Sequence, residues 1–167
     1  MPDRYAHCTF CGARFTPGQP WPRRCAACGE TSYLNPVPVA VALQPVGLGL
    51  LVVRRAIPPA ADLLALPGGF IERGETWQEA TVRELREEVG VPADPATVRL
   101  FDTLSAPDGT LLVFGLLPSL ASPEALPDSV ANTESHGWRI LDAPVPLGFD
   151  LHTRVVEAYF AGIAAAF

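Results

Sequence analysis

Residues 69–91 read GFIERGETWQEATVRELREEVGV, and the fold turns on how this stretch is read. Thr76-Trp77-Gln78-Glu79 has the form of a capping box, in which the threonine hydroxyl and the glutamate carboxylate each satisfy an orphan backbone N–H. A helix therefore begins near Thr76. Gly90 can take the left-handed conformation that closes a helix, and Pro92 blocks its continuation. Trp77, Thr81, Leu85 and Val89 recur at i, i+4 and predict the face turned to the core. At about 100° per residue, Glu84, Glu87 and Glu88 fall within an arc of roughly 100°, with Glu84 and Glu88 at the edge of the apolar face. Gln78, Glu79, Arg83 and Arg86 fall on the far side.

A solvated helix laced with ion pairs, such as Glu79 with Arg83 and Arg83 with Glu87, accounts for the arginines at about 0.2–0.5 kcal/mol per pair. It does not account for the placement of the acids. Two like charges about 4 Å apart repel by roughly 4 kcal/mol at an effective dielectric of about 20, so a clustered triad calls for a counter-ion. Oxygen-only ligation suits Mg²⁺ or Mn²⁺, which keep open positions for water and substrate phosphates.

The stretch resembles the complete Nudix signature, G-x5-E-x7-R-E-U-x-E-E-x-G-U with U aliphatic. Here it is filled by Gly69, Glu75, Arg83, Glu84, Leu85, Glu87, Glu88, Gly90 and Val91. The resemblance implies an α/β/α sandwich with a mixed sheet and hydrolysis of a diphosphate linkage. It implies that Glu84, Glu87, Glu88 and the Gly69 carbonyl bind the catalytic metal, that Arg83 orients the acids, and that Glu75 pairs with Arg83. Members of the family take their base from the box or from a later loop, which makes Glu134 in Asn-Thr-Glu-Ser-His the candidate downstream base or extra ligand. An ordinary exposed loop acid is the alternative, and His136 carries the same two readings.

Outward from the box, Val37 to Leu43 and Leu48 to Val53 are dense in Val and Leu and read as strands buried on both faces. Gln44-Pro45-Val46-Gly47 supplies a turn between them. Leu63 to Leu66 follows, then Pro67-Gly68-Gly69 as a loop signal. Leu100 to Leu104 and Leu111 to Leu117 read as strands joined by Pro107-Asp108-Gly109. Residues 118–133 read as a loop, Trp138 to Leu141 as a short strand, and Asp150 as the cap of a final helix carrying Val155, Val156, Tyr159, Phe160 and Ile163. Interleaved strands and helices argue for an α/β domain over residues 35–167.

Residues 1–34 differ in texture and hold all four cysteines. Cys8-x-x-Cys11-Gly12 and Cys25-x-x-Cys28-Gly29 form the spacing of a four-thiolate zinc site, each pair gripping two corners of a tetrahedron. With all four positions filled by protein, such a Zn²⁺ is structural, and the segment reads as a zinc ribbon. His7 adjoins Cys8 as a bystander. A disulfide framework and a redox C-x-x-C are the alternatives; the first fits poorly without a secretory leader, the second with two matched copies.

The chain is 49% hydrophobic and 18% charged over 167 residues, on the globular side of composition. A formal charge of -6 offers no footprint for general nucleic-acid binding. The apolar run from Val37 to Val53 is too broken by proline and glycine for a membrane span, and the leaderless start predicts a cytoplasmic protein.

A zinc ribbon ahead of a Nudix domain is similar to the NADH pyrophosphatases and to a second group acting on FAD or ADP-ribose. The former carry S-Q-P-W-P-F-P-x-S after the box. The stretch Ser105-Ala106-Pro107-Asp108-Gly109-Thr110 keeps only the serine and the first proline. Tyr33-Leu34-Asn35-Pro36 and Leu66-Pro67-Gly68-Gly69 look more like the second group, so ADP-ribose or an FAD-like dinucleotide is the first expectation and NADH or NAD the next. A nucleotide-sensing or RNA-binding adaptor without catalysis is the expectation of another class, and loss of one acid of the triad would have favoured it. Dimers are common in such families, so a homodimer is compatible with the resemblance.

Overall fold

The alternation of side chains along two central strands builds the layers. Successive residues of β3 (Val37–Leu43) and β5 (Gly49–Arg55) point to opposite faces. Val41, Leu43, Leu50 and Val52 pack with Val155, Val156 and Tyr159 of α2 (Asp150–Ala164). Ala42, Leu51 and Val53 pack on the other side with Leu85 and Val89 of α1 (Trp77–Val89). Both strands are buried on two faces between two helices, giving an α/β/α sandwich. Full burial of one such Leu or Val side chain contributes about 1.5–3 kcal/mol.

This computed structural model describes residues 5–165. The chain divides into two compact units, one ending at Pro36 and the other beginning at Val37. In the first unit, β1 (Arg23–Arg24) pairs antiparallel with β2 (Thr31–Ser32). Each cysteine knuckle closes through a glycine, Gly12 N–H donating to Cys8 O at 3.0 Å and Gly29 N–H to Cys25 O at 2.9 Å. Cys8, Cys25 and Phe15 form its small core, with Ala13 and Trp21 against it.

In the second unit one sheet has the order β7-β3-β9-β8, formed with β7 (Gly68–Phe70), β8 (Arg99–Ser105) and β9 (Thr110–Leu116). Within it β3 runs parallel to β9 while the other pairs are antiparallel, so the sheet is mixed. The second sheet places β5 between β10 (Ser135–Leu141) and β4 (Pro45–Val46), with β6 (Leu64–Ala65) also paired to β5. No helix among the described residues is long and apolar enough to cross a membrane.

Three sequence expectations differ from the structure. Gly68 and Gly69 are not loop but belong to β7, because Gly68 lies so close to β3 that a Cβ would sit 2.9 Å from Val41 Cα. Pro45 and Val46 are not turn but pair with Leu50 and Gly49, and the buried Gln44 amide is satisfied by the carbonyls of Pro45 and Pro118. Asp150 does not cap α2; it is the first helical residue, and Phe149 occupies the cap position without a side-chain bond.

Candidate active site

The box helix is held in one rotation and one length. Its start is fixed reciprocally, Thr76 Oγ1 accepting from Glu79 N at 3.2 Å and Glu79 Oε2 from Thr76 N at 2.6 Å. At its end Gly90 has φ 82°, and its N–H donates to Arg86 O at 2.8 Å. Thr81 and Leu85 are fully buried, which sets the rotation and leaves Glu84 and Glu88 each 8% exposed at the core edge. Glu87 is solvent-exposed.

β7 presents Gly69 to this helix. A Cβ there would lie 2.7 Å from Glu84 Oε2, so only glycine admits the carboxylate against the strand. Glu84 and Gly69 are thus neighbours.

Arg83 does not stay on the far side of the helix. Its long stem lets the guanidinium reach round into the acids. Nη2 and Nε bind Glu75 Oε1 and Oε2 at 2.8 and 3.1 Å, a bidentate pair. Nη1 donates to Glu84 Oε1 at 2.6 Å and Glu87 Oε2 at 3.2 Å, and Nη2 also donates to Phe70 O at 2.9 Å. The ion pair between Glu79 and Arg83 that a solvated helix would offer is not formed, since Glu79 serves the cap.

Glu88 points inward, and its Oε2 is buried without a hydrogen-bond partner. Burial, then the charge of Glu84, pushes its carboxyl up to about 8, with the Gly68 backbone N–H and Arg55 acting the other way. Burial also raises Glu84, partly offset by Arg83. Glu134 repels both, which places its charge within reach of the cluster.

Asn132 explains why Glu134 is there. Its amide nitrogen donates to the carbonyls of Glu87 and Glu88 at 3.3 Å each, taking up orphan acceptors at the end of α1. Its Oδ1 accepts from Glu134 N at 2.9 Å and Ser135 N at 2.8 Å. The Glu134 carbonyl accepts from Ala56 N at 2.8 Å. His136 goes elsewhere and approaches Asp62 at 3.6 Å. Sequence reasoning missed Asn132, although Asn-x-x-Ser is a recognisable Asx-turn pattern, and it missed Arg55, which no local pattern marks.

Among the described residues, the four cysteines are the one group of three or more acidic, thiol or imidazole side chains whose ligand atoms lie within 4.8 Å of one another. Glu84, Glu87 and Glu88 do not form such a group, because Arg83 draws Glu84 and Glu87 to itself while Glu88 turns inward. Cys8 and Cys28 Sγ atoms are 3.8 Å apart and those of Cys11 and Cys25 3.6 Å, with no disulfide. The backbone N–H groups of Cys11 and Phe10 hold the Cys8 thiol down to about 6. A Glu30 backbone hydrogen bond lowers Cys28, but burial and the adjacent thiols outweigh it and push that thiol up to about 12. Four crowded thiols that cannot all ionise alone suit a divalent cation. His7 lies outside this group, and its backbone pairs with that of Arg14 in an isolated antiparallel bridge.

A cavity of about 650 Å³ adjoins Gly68 and Gly69, with Phe70, Phe149, Arg55 and His152 among its walls.

The NUDIX domain model matches residues 34–145. The NAD-capped RNA hydrolase NudC of Pseudomonas aeruginosa is 31% identical over 160 residues, covering 92% of this chain and 55% of that protein. An ADP-ribose pyrophosphatase of Methanocaldococcus jannaschii is 38% identical over 76 residues, covering 46% of this chain and 44% of that protein. The chain thus spans about half the length of the curated relatives it matches. The crystal structure of a NUDIX hydrolase from Nitrosomonas europaea superposes with a TM-score of 0.75 at 23% identity, covering 95% of this chain and 92% of that one, and so shares the fold. With the signature helix, the mixed sheet and the family match in agreement, the chain belongs to the NUDIX domain family, with a four-cysteine unit consistent with a small zinc ribbon at its N-terminal side.

Proposed function

We propose that the protein is a Mg²⁺- or Mn²⁺-dependent pyrophosphohydrolase that cleaves the diphosphate linkage of a nucleoside diphosphate derivative. The observation that carries this reading is Glu88, a buried carboxylate with an orphan Oε2 set beside Glu84 and Glu134. An uncompensated acid in such a place is costly unless a cation joins it. The donor set is all oxygen, which fits a hard divalent ion. Glu84, Glu87, Glu88 and the Gly69 carbonyl would hold it, Glu87 turning from its solvent-exposed contact with Arg83 at 3.2 Å. When bound, the ion supplies charge neutralisation for the diphosphate oxygens.

The chain's own residues do the rest. Glu75 anchors Arg83, and Arg83 holds Glu84 against Gly69. Glu134, exposed and fixed by Asn132, takes the proton from the attacking water. The four cysteines hold a structural Zn²⁺ in a ribbon over residues 1–34, ahead of a hydrolase domain from residue 35 onward.

ADP-ribose or an FAD-like dinucleotide is the favoured substrate, supported by the aligned ADP-ribose pyrophosphatase and by the missing aromatic and prolines after Pro107. That departing stretch, Ala106 to Asp108, lines the cavity that adjoins Gly68 and Gly69. An NAD(H) pyrophosphatase is the second reading, favoured by the longer alignment to a relative named for NAD-capped RNA. The test is phosphate release from ADP-ribose, FAD, NADH and nucleoside triphosphates through a coupled phosphatase, with and without Mg²⁺. Magnesium-dependent turnover of a dinucleotide is the expected result. Activity on none of them would favour a nucleotide-sensing adaptor.

A further inference from the structure

His152 is a buried titratable side chain that the reaction above leaves unused. It sits in the first turn of α2, is 6% exposed, and lines the cavity next to Gly69. Leu66 N–H donates to its Nδ1 at 3.2 Å. A nitrogen that accepts a backbone N–H carries no proton of its own, so the neutral ring bears its hydrogen on Nε2. Burial, then the charge of Arg55, holds the imidazole down to about 4, which keeps it neutral.

Among the described residues no acceptor meets that Nε2–H. Among the described residues Glu88 Oε2 is the one fully buried side-chain polar atom without a partner, so Nε2 retains open space, and the open space against His152 is the cavity. The ring cannot swing away to find another acceptor. It packs edge-on to Phe114 at 5.7 Å and tilted against Phe149 at 5.0 Å, and turning it would leave Leu66 N–H unpaired. Asp108 and Asp150 also line the cavity, yet neither takes the Nε2 proton.

The walls around this donor are Val39, Leu66, Leu112 and the rings of Phe70 and Phe149, with Phe70 66% exposed. A fixed donor in an aromatic and aliphatic cavity of about 650 Å³ fits a flat heterocycle with an acceptor on its edge. We propose that this cavity takes the base of the nucleotide substrate and that the His152 Nε2–H reads an acceptor atom, a ring nitrogen or carbonyl oxygen, on that base. The assignment rests on the reading of the site as one for nucleotide derivatives.

The test uses the full chain and five probes: AMP, GMP, CMP, UMP and, as the base-free control, ribose 5-phosphate. Binding is followed by titration and by the ¹⁵N resonance of His152 Nε2. His152→Asn keeps an acceptor for Leu66 N–H and, being shorter, places no donor at the Nε2 position, whereas His152→Gln returns an amide donor near that position. At least one monophosphate should bind more tightly than ribose 5-phosphate and move the Nε2 resonance. His152→Asn should erase roughly three- to tenfold of that preference, the size of one neutral hydrogen bond, and His152→Gln should restore part of it. The assignment is overturned by a lack of preference for any base, by a preference that survives in His152→Asn, or by base binding that leaves the wild-type Nε2 resonance unmoved. Base preference without dinucleotide hydrolysis would remove the hydrolase reading alone, and hydrolysis without base preference would remove the assignment of this cavity alone.

Discussion

The side-chain amide of Asn132 donates to the carbonyl of Glu88 at 3.3 Å, tying the loop that carries Glu134 to the end of the box helix. The same side chain accepts from Glu134 N, so one residue spans helix and loop. Asn132→Ala should cost about 1 kcal/mol of stability, the scale of a few partly exposed hydrogen bonds. It should lower kcat/KM by roughly tenfold or more, because Glu134, the proposed base, loses its alignment. Urea melts beside steady-state kinetics check this; equal losses from Glu134→Gln alone and from the double variant would confirm that both act through Glu134.

Gly69→Ala places a methyl group against the Glu84 carboxylate, where a Cβ would lie 2.6 Å from Cδ. Glu84 must then move and give up its place beside β7. Turnover should fall by roughly 100-fold or more while the far-ultraviolet spectrum stays native, since the strain is local. A magnesium titration showing unchanged half-saturation would sink the assignment of Glu84 and Gly69 to one ion.

For Glu88→Gln the two properties should part. With its carboxyl pushed up to about 8, Glu88 is largely protonated in the metal-free protein near neutral pH, so the amide costs little stability there. The magnesium-induced rise in melting temperature should disappear and kcat should drop by orders of magnitude, roughly 10³-fold, through loss of a ligand charge. Calorimetry with and without Mg²⁺ separates the two.

His152 makes the fold acid-sensitive. Its folded pKa is held down to about 4 against the ordinary 6.5, so above 6.5 both states are neutral and its contribution is complete. As pH falls below 6.5 the unfolded chain takes a proton that the folded one refuses, and stability is lost progressively down to about 4. The loss amounts to roughly 2 kcal/mol by about pH 5. Glu88 in the metal-free protein runs the other way, losing stability as pH rises from 4.5 toward 8. Comparing urea midpoints of wild type and His152→Asn isolates the histidine; parallel pH profiles would contradict the burial argument.

Cys11→Ser should release about one zinc per chain and lower the melting temperature of the first unit, because a structural site contributes its binding free energy to folding. Metal analysis of the purified protein, alongside the variant, provides the check.

Where the code is local, the sequence is readable. Thr76 and Glu79 are three residues apart on one helical turn, and Gly90 needs only its own backbone freedom, so both ends of α1 follow from short-range chemistry. Cys8, Cys11, Cys25 and Cys28 are two close pairs whose spacing already fits a tetrahedron. Pro67-Gly68-Gly69 misled for the opposite reason. Glycines that punctuate loops also allow two backbones to approach, and only the nearness of β3 shows which applies. Arg83 misled because a helical wheel places a Cβ, whereas the guanidinium acts several bonds farther on.

The amino-acid sequence by itself determined the box helix, its acids, the cysteine knuckles and the alternation that buries β3 and β5 on both faces, because each is set by periodicity or by neighbours a few residues apart. Only the tertiary structure decided that Asn132 ties the loop of Glu134 to the end of α1 and that His152 lines a cavity beside Gly69. Those relationships join residues from 44 to 86 positions apart, and their energies exist only once the intervening chain has folded and excluded water.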